Sequence, residues 1–348
     1  MAKIFGFTLL RNGIKYDYSF SESLNSLSPI VEKIYIALGN SEDGTEQALD
    51  PFSCLRILPT IWDTNSRDGA VILSEQTNIA LMKLREEQGE NRDAWGIYLQ
   101  ADEILHQDDY DLIKKDIERA NQEGCDALSF RYLHFWQSHF KVAINKKWYP
   151  QEIRAVKLNS DAVSWGDAQS FKNVKKVFQS EARIFHYGHV REAESYKIKK
   201  RDILKLYHKD EKLSKYQMRE RRFDSQTEVL DYLGTHPSVM TARIKRLESF
   251  DPRQVIFKSD LIIVDNSQKY SKVFLKKIAA NSIVWAPSIY SPFLRSRAAI
   301  VIPYPNTYQR WIFPSKVPDK MRSKLALPWP REFLLTLKLS EKGIAVLD

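Results

Sequence analysis

The sequence predicts an α/β fold with a mostly parallel central sheet, helices on both faces of that sheet, and a C-terminal extension. Two observations carry this. Through residues 1–130 short apolar runs alternate with amphipathic stretches, the signature of strand–helix–strand units. Three of the runs also end in polar clusters: Arg11-Asn12, Asn40 to Thr45, and Gln100 to Glu103. In open parallel sheets the ligand sits at the carboxyl ends of the strands, so the three clusters are expected to converge.

The elements follow in order. Ile4 to Leu10 reads as a buried strand broken by the turn chemistry of Arg11-Asn12-Gly13. A helix capped by Ser21 or Ser23 places Leu24 and Leu27 on one face and stops before Pro29. Val31 to Leu38 is a second strand, Cys54 to Leu58 a third, Val71 to Glu87 a long helix and Trp95 to Leu99 the clearest strand, with an acidic helix from about Asp108 to Glu123. Beyond residue 125 the texture changes to short aromatic-rich strands, at Ala127 to Tyr132, Trp148-Tyr149, Ile153 to Lys157 and Ala182 to His186. Lys197 to Lys215 reads as a charged, solvated helix and Pro237 to Leu247 as another helix with proline in its first turn. From about Asp251 the chain is rich in proline and aromatics, with strand-like runs at Leu261 to Val264 and Ala298 to Ile302.

Composition narrows the classes. Cys54 and Cys125 are the only cysteines, which excludes a disulfide framework and matches no zinc-ligand spacing. No signal-peptide pattern precedes the first strand and no segment approaches the ~18 apolar residues of a membrane span, so the expected location is cytoplasmic. The net charge of +9 conceals an asymmetry: residues 1–130 carry 12 Lys and Arg against 23 Asp and Glu, a net of −11, and the remainder a net of +20. A basic region of that size favours polyanionic neighbours, either phosphates or anionic headgroups. The acidic N-terminal part and the lack of a recognised motif argue against nucleic acid.

A set of motifs then occurs in a particular order: Gly39-Asn40-Ser41-Glu42-Asp43-Gly44-Thr45, Tyr98-Leu99-Gln100-Ala101-Asp102-Glu103, Arg131 to Phe135, Trp148 to Arg154, Asp167-Ala168-Gln169, His186 to Arg191, and Gly234 to Pro237. In this order they resemble bacterial family 2 glycosyltransferases with a GT-A fold, over roughly residues 3–250. The resemblance implies a domain at 1–250, with a nucleotide-sugar-binding half at 1–130 and an acceptor half at 131–250, followed by a basic, aromatic extension at 251–348.

It also implies roles. Gln100-Ala101-Asp102-Glu103 stands in place of the family's Asp-x-Asp, with Asp102 as direct ligand of Mg²⁺ or Mn²⁺ and Gln100 where a donor-contacting Asp is usual. Read without the resemblance, Asp102 and Glu103 would cap the acidic helix that follows. The family's base-reading Asp is absent at Leu38 and Gly39, which leaves Thr8, Arg11 or Asp43 to contact the base, with Asn12 and Arg67 also near the donor. His186 is a second candidate metal ligand and Arg191 a candidate holder of the diphosphate. Inverting transfer needs a base, and Asp167 and Glu152 are the candidates. Asp167 ranks ahead, because Glu152 and Arg154 share a strand face, where an ion pair is expected.

Phe135, Trp136, Trp148, Tyr149 and Trp165 would suit a sugar acceptor's C–H faces, although core filling is the ordinary use of each. The expected activity is an inverting, metal-dependent hexosyl-type transfer from a nucleotide-sugar donor to a glycan or lipid-linked acceptor, such as lipopolysaccharide or capsule. The alternative is a non-catalytic nucleotide-sugar or glycan-binding protein. Within 251–348, basic residues such as Lys276, Arg295 and Arg310 lie among Trp285, Tyr304 and Trp311, a composition suited to peripheral contact with an anionic membrane's inner face.

Overall fold

The computed structural model describes residues 2–63, 70–89, 93–143, 148–207, 227, 229–232, 235–249, 263–265 and 299–301. The chain divides into two compact units, one of residues 1–137, 149–227 and 236–247 and the other of residues 138–148, 228–235 and 248–348.

In the first unit the chain runs β1 (Ile4–Leu10), α1 (Phe20–Leu27), β2 (Ile34–Gly39), β3 (Leu55–Thr60), α2 (Ile72–Gln88), β4 (Trp95–Tyr98), β5 (Glu103–Leu105), α3 (Tyr110–Gln122) and β6 (Ala127–Trp136). After β7 (Lys141–Ala143) of the second unit come β8 (Gln151–Lys157), the hairpin pair β9 (Val163–Trp165) and β10 (Ser170–Lys172), β11 (Val177–His189) and α4 (Ala193–Tyr207). Strands β3, β2, β1 and β4 form a parallel ladder in that spatial order. β8 joins β4 and β6 antiparallel to both, β11 runs parallel to β6, and β5 pairs antiparallel with β11. The fold is therefore mixed α/β with a mostly parallel sheet through its N-terminal half.

Period-two alternation explains the two-sided burial. From β1, β2 and β4, Ile4, Leu10, Ile34, Ile36, Leu38, Trp95 and Ile97 face one core, where Leu24 and Leu27 of α1 and Ile113 and Ile117 of α3 pack. Phe5, Phe7, Tyr35, Ala37 and Tyr98 face the other, against Ala80, Leu81 and Leu84 of α2. Helices thus cover both faces, as the sequence pattern predicts.

Several boundaries differ from expectation for local reasons. β2 starts at Ile34, because Glu32 still bonds back to the Ile4 carbonyl. Trp148-Tyr149 is not a strand: Pro150 follows, and its carbonyl accepts from Tyr132 across the sheet. The charged helix begins earlier, at Ala193, and is described to Tyr207.

In the second unit β7 pairs antiparallel with β12 (Val229–Asp231), and β13 (Ile263–Asp265) with β14 (Ala299–Val301). The other residues of the 251–348 extension lie outside the described ones. No helix among the described residues is long and apolar enough to cross a membrane.

Candidate active site

The site begins at the end of β4, where Gln100 to Glu103 turns into β5. Glu103 does not cap the helix that follows; it enters β5 fully buried, and a 3-10 turn with His106 as its cap precedes α3. Its carboxylate takes a two-pronged ion pair from Arg154, at 2.8 Å on each oxygen, plus hydrogen bonds from the Tyr132 hydroxyl at 2.7 Å and the Gln100 amide at 3.1 Å. The Arg154 guanidinium lies over the rings of Tyr98 and Tyr132, at 5.3 and 5.2 Å. The expected Glu152–Arg154 pair is therefore not formed. A guanidinium at 0% exposure satisfies a fully buried carboxylate in preference to a partly buried one, because the uncompensated buried charge is the costlier of the two.

Asp102 points the other way, into a cluster of cations. Its Oδ2 accepts from Arg191 at 3.1 Å and from Lys199 Nζ at 3.0 Å, while its Oδ1 faces His186 Nε2 at 3.8 Å. Burial pushes this carboxyl up, but Lys199 and Arg191 outweigh burial and hold it far below the usual carboxylate range. Burial and the neighbouring Arg191 push Lys199 down to about 8. Both cations also stand over the ring of Tyr18, Lys199 Nζ at 4.5 Å and Arg191 at 4.8 Å from its centroid.

The imidazoles can be ordered by their partners. His134 Nε2 faces the Tyr149 carbonyl at 2.7 Å, so it donates, and burial holds His134 well below the ordinary histidine range, hence neutral. His134 Nδ1 must then accept from His186 Nδ1, 2.9 Å away. His186 Nε2 faces Asp102 Oδ1 at 3.8 Å, and burial, outweighing the pull of Asp102, holds His186 below its ordinary value, which leaves Nε2 a lone pair at neutral pH. Gly188 keeps that space open, since a Cβ there would collide with His186 Nε2 and press on Asp102 Oδ2.

Asp102 Oδ1 and His186 Nε2, 3.8 Å apart, are two atoms whose chemistry suits a hard divalent ion, with its other positions left to water and phosphate oxygens. Among the described residues no group of three or more His, Cys, Asp or Glu is placed to hold a metal. Of the described residues, Asp102 and His186 are the candidates to share one.

A second group stands beside it. Asp167 lies between Gly166 and Ala168, which both adopt left-handed backbone conformations at φ 61° and 62°. The Ala168 conformation is uncommon outside glycine; Ala168 itself is buried and Asp167 partly so. The Gln100 side chain bonds the Ala168 carbonyl at 3.2 Å, and Arg154 bonds the Gln169 carbonyl at 2.6 Å, tying the turn to the end of β4. Tyr207 of α4 donates to Asp167 Oδ2 at 2.8 Å. Glu152 accepts from Gln169 Nε2 at 2.8 Å, so it supports the same turn.

The loop after β1 makes a third group. Asn12, at a positive φ of 51°, accepts from the Glu42 amide on its side-chain oxygen, and its own backbone amide donates to Ser41 Oγ. Arg11 Nε reaches the Asn40 carbonyl at 3.1 Å and its guanidinium lies 5.6 Å from the Trp62 ring. Asp43 accepts from the Lys15 amide, the Thr45 amide and the Thr45 hydroxyl. Thr8 is buried, its hydroxyl bonded to the Leu99 carbonyl across β1 and β4. The loop meets the cation cluster through the Tyr16 carbonyl, which Arg191 Nη1 contacts at 2.6 Å. Arg67 lies outside the described residues.

The structure therefore gathers Asp102, His186 and Arg191 in one cluster, and Gln100, Glu152 and Asp167 around one turn. Lys199, Tyr18, Tyr207 and His134 belong to the site without having been singled out. The signal for Lys199 was its helical spacing with Tyr196 and Asp202, which puts all three on one face of α4. Of the candidate acceptor rings, Phe135 is core, stacked on Phe185 and Tyr187, and Trp136 is buried against His189. Trp165, two residues before Asp167, is 54% exposed.

No family model and no curated protein sequence matches the chain. Among solved structures it is similar to S. aureus TarS, at 16% identity over 57% of this chain and 38% of that one, with a TM-score of 0.35. It is also similar to S. aureus TarS 1-349 in complex with UDP, at 16% identity, 60% and 66% coverage and a TM-score of 0.35. A third is the 4-diphosphocytidyl-2C-methyl-D-erythritol synthase of Anaerococcus prevotii, at 11% identity, 57% and 94% coverage and a TM-score of 0.31. The aligned part spans less than two thirds of either TarS chain.

Proposed function

We propose that this chain transfers a sugar from a nucleotide-sugar donor to a surface-glycan acceptor, of the lipopolysaccharide or capsule kind, with inversion at the anomeric carbon. The observation that carries the reading is the presentation of Asp167 by a left-handed turn tied to the strand end that bears Asp102. Tyr207 occupies Asp167 Oδ2, and Oδ1 makes no hydrogen bond among the described residues, so Oδ1 is the atom to take the acceptor hydroxyl's proton. Arg191 is the group to bind the diphosphate. Asp102 and His186 are the residues to hold Mg²⁺ or Mn²⁺, which when bound supplies charge neutralisation for the departing diphosphate. Trp165 offers an exposed ring for the acceptor sugar. A cytoplasmic enzyme whose 251–348 extension meets an anionic membrane surface would suit a lipid-linked acceptor. Co-sedimentation of the full chain with anionic but not neutral vesicles is the expected result.

Thermal stabilisation by a panel of nucleotide sugars, with and without Mn²⁺, identifies the donor. With that donor, Asp167→Asn is expected to lower the rate of donor turnover by roughly 10²-fold or more while keeping donor affinity. Glu152→Gln should leave turnover near normal, since Glu152 is engaged with Gln169. The reverse pattern would make Glu152 the base. Normal turnover in both would remove the assignment of either.

A further inference from the structure

Lysine side chains on a helix ordinarily extend to water, as Lys197 on α4 does at 69% side-chain exposure. Lys199 on the same helix does not: its side chain is 14% exposed and its ammonium sits on Asp102 Oδ2, the oxygen that Arg191 already occupies. One carboxylate needs one counter-charge. Two largely buried cations on a single carboxylate oxygen leave one positive charge that Asp102 does not balance. Buried surplus charge is costly unless something else completes it, so the arrangement is built for an anion.

The two cations are not equally committed. Arg191 is fixed through the Tyr16 and Gly188 carbonyls as well as Asp102. Lys199 has Asp102 at 3.0 Å, a long contact of 3.4 Å to the Gly188 carbonyl, and a third N–H with no acceptor among the described residues. The Tyr18 ring lies under both ammonium and guanidinium. Resting on the proposed use of a nucleotide-sugar donor, the geometry points to Lys199 as the second cation of a diphosphate clamp with Arg191, held on Asp102 until the donor's phosphates arrive. The clamp needs no bond to form or break. Lys199 changes one anionic partner for another, and releases Asp102 Oδ2 as it does so.

Isothermal calorimetry on the full chain tests this with inorganic pyrophosphate and with UDP, GDP, CDP and dTDP, each beside its nucleoside monophosphate and with Mn²⁺ present. Lys199→Met is expected to weaken pyrophosphate and the preferred nucleoside diphosphate about tenfold or more, while the matching monophosphate changes by less than about twofold. Lys199→Arg should recover most of the loss, and Lys199→Gln serves where the methionine variant does not fold. Diphosphate affinity unchanged in Lys199→Met and Lys199→Gln would overturn the inference and leave the lysine a counter-charge for Asp102. An equal loss for mono- and diphosphates would overturn it too. If pyrophosphate binds through Lys199 but no nucleotide does, the clamp stands and the nucleotide-sugar reading falls. If neither pyrophosphate nor any nucleotide binds the wild-type chain, both fall.

Discussion

Glu103 and Asp102 share a peptide bond, yet the surroundings of each are built to different ends. Around Glu103 every lone pair that matters has a fixed donor: Arg154 on both oxygens, Tyr132 on one and the Gln100 amide on the other. Charge is balanced one to one, and aromatic rings cover the guanidinium. Around Asp102 one oxygen carries two cations and the other faces a histidine lone pair at 3.8 Å. A closed pair holds a fold in register, whereas a cluster with surplus charge and a facing pair of acceptors is complete only with something bound. Adjacent carboxylates can thus divide structure and chemistry between them because successive residues at a strand end face opposite sides.

The largest effect should come from breaking the closed pair. Glu103→Gln leaves the Arg154 guanidinium without a counter-charge at 0% exposure, and a loss of roughly 3–5 kcal/mol of stability is expected, read by urea unfolding. A loss below about 1 kcal/mol would show that Arg154 finds another anion, and the contrast with Asp102 would weaken accordingly.

The second test acts on the open side. Asp102→Asn keeps the shape but removes the charge that Lys199 and Arg191 share, so a smaller loss, roughly 1–3 kcal/mol, is expected from two cations left facing an amide. Any enhancement of nucleotide affinity by Mn²⁺ should disappear at the same time, measured by calorimetry. A destabilisation as large as that of Glu103→Gln, with the Mn²⁺ response intact, would make Asp102 the structural member of the two.

This division was only partly legible in the sequence. The strands and the two-faced burial follow from period-two alternation, which is local, and so β1, β2 and β4 could be read directly along with the position of Asp102 at a strand end. Partner choice is not local. Glu152 and Arg154 share a strand face, which suggested a pair, but the pairing of β8 between β4 and β6 brings Arg154 to Glu103, and desolvation decides between the two acids. Lys199 was hidden for a similar reason: among Lys197, Lys200 and Arg201 nothing in composition marks it, and only the docking of α4 on Asp102 buries that one ammonium.

The smallest test concerns a third carboxylate that separates a loop's own chemistry from recognition of the donor. Asp43 was a candidate for reading the base, yet Oδ2 accepts from the Lys15 amide at 2.6 Å and Oδ1 from both the amide and hydroxyl of Thr45. Although burial pushes this carboxyl up, these hydrogen bonds outweigh it and hold the group below its ordinary value of 3.8. The sign follows: the unfolded chain takes up the proton first as pH falls, so the stabilisation is whole above 3.8 and is lost as pH drops through the lower folded value. Asp43→Asn retains one acceptor oxygen and turns the other into a donor facing the Lys15 amide. About 1 kcal/mol should be lost at neutral pH, and the stability difference from wild type should shrink on acidification below 3.8. Nucleotide affinity should change by less than about twofold, because both oxygens are already engaged within the loop. A base-selective loss of affinity in Asp43→Asn, with stability unmoved, would assign Asp43 to the donor instead. It would then belong with Asp102, as a carboxylate whose partners are exchanged when the ligand binds, and not with Glu103.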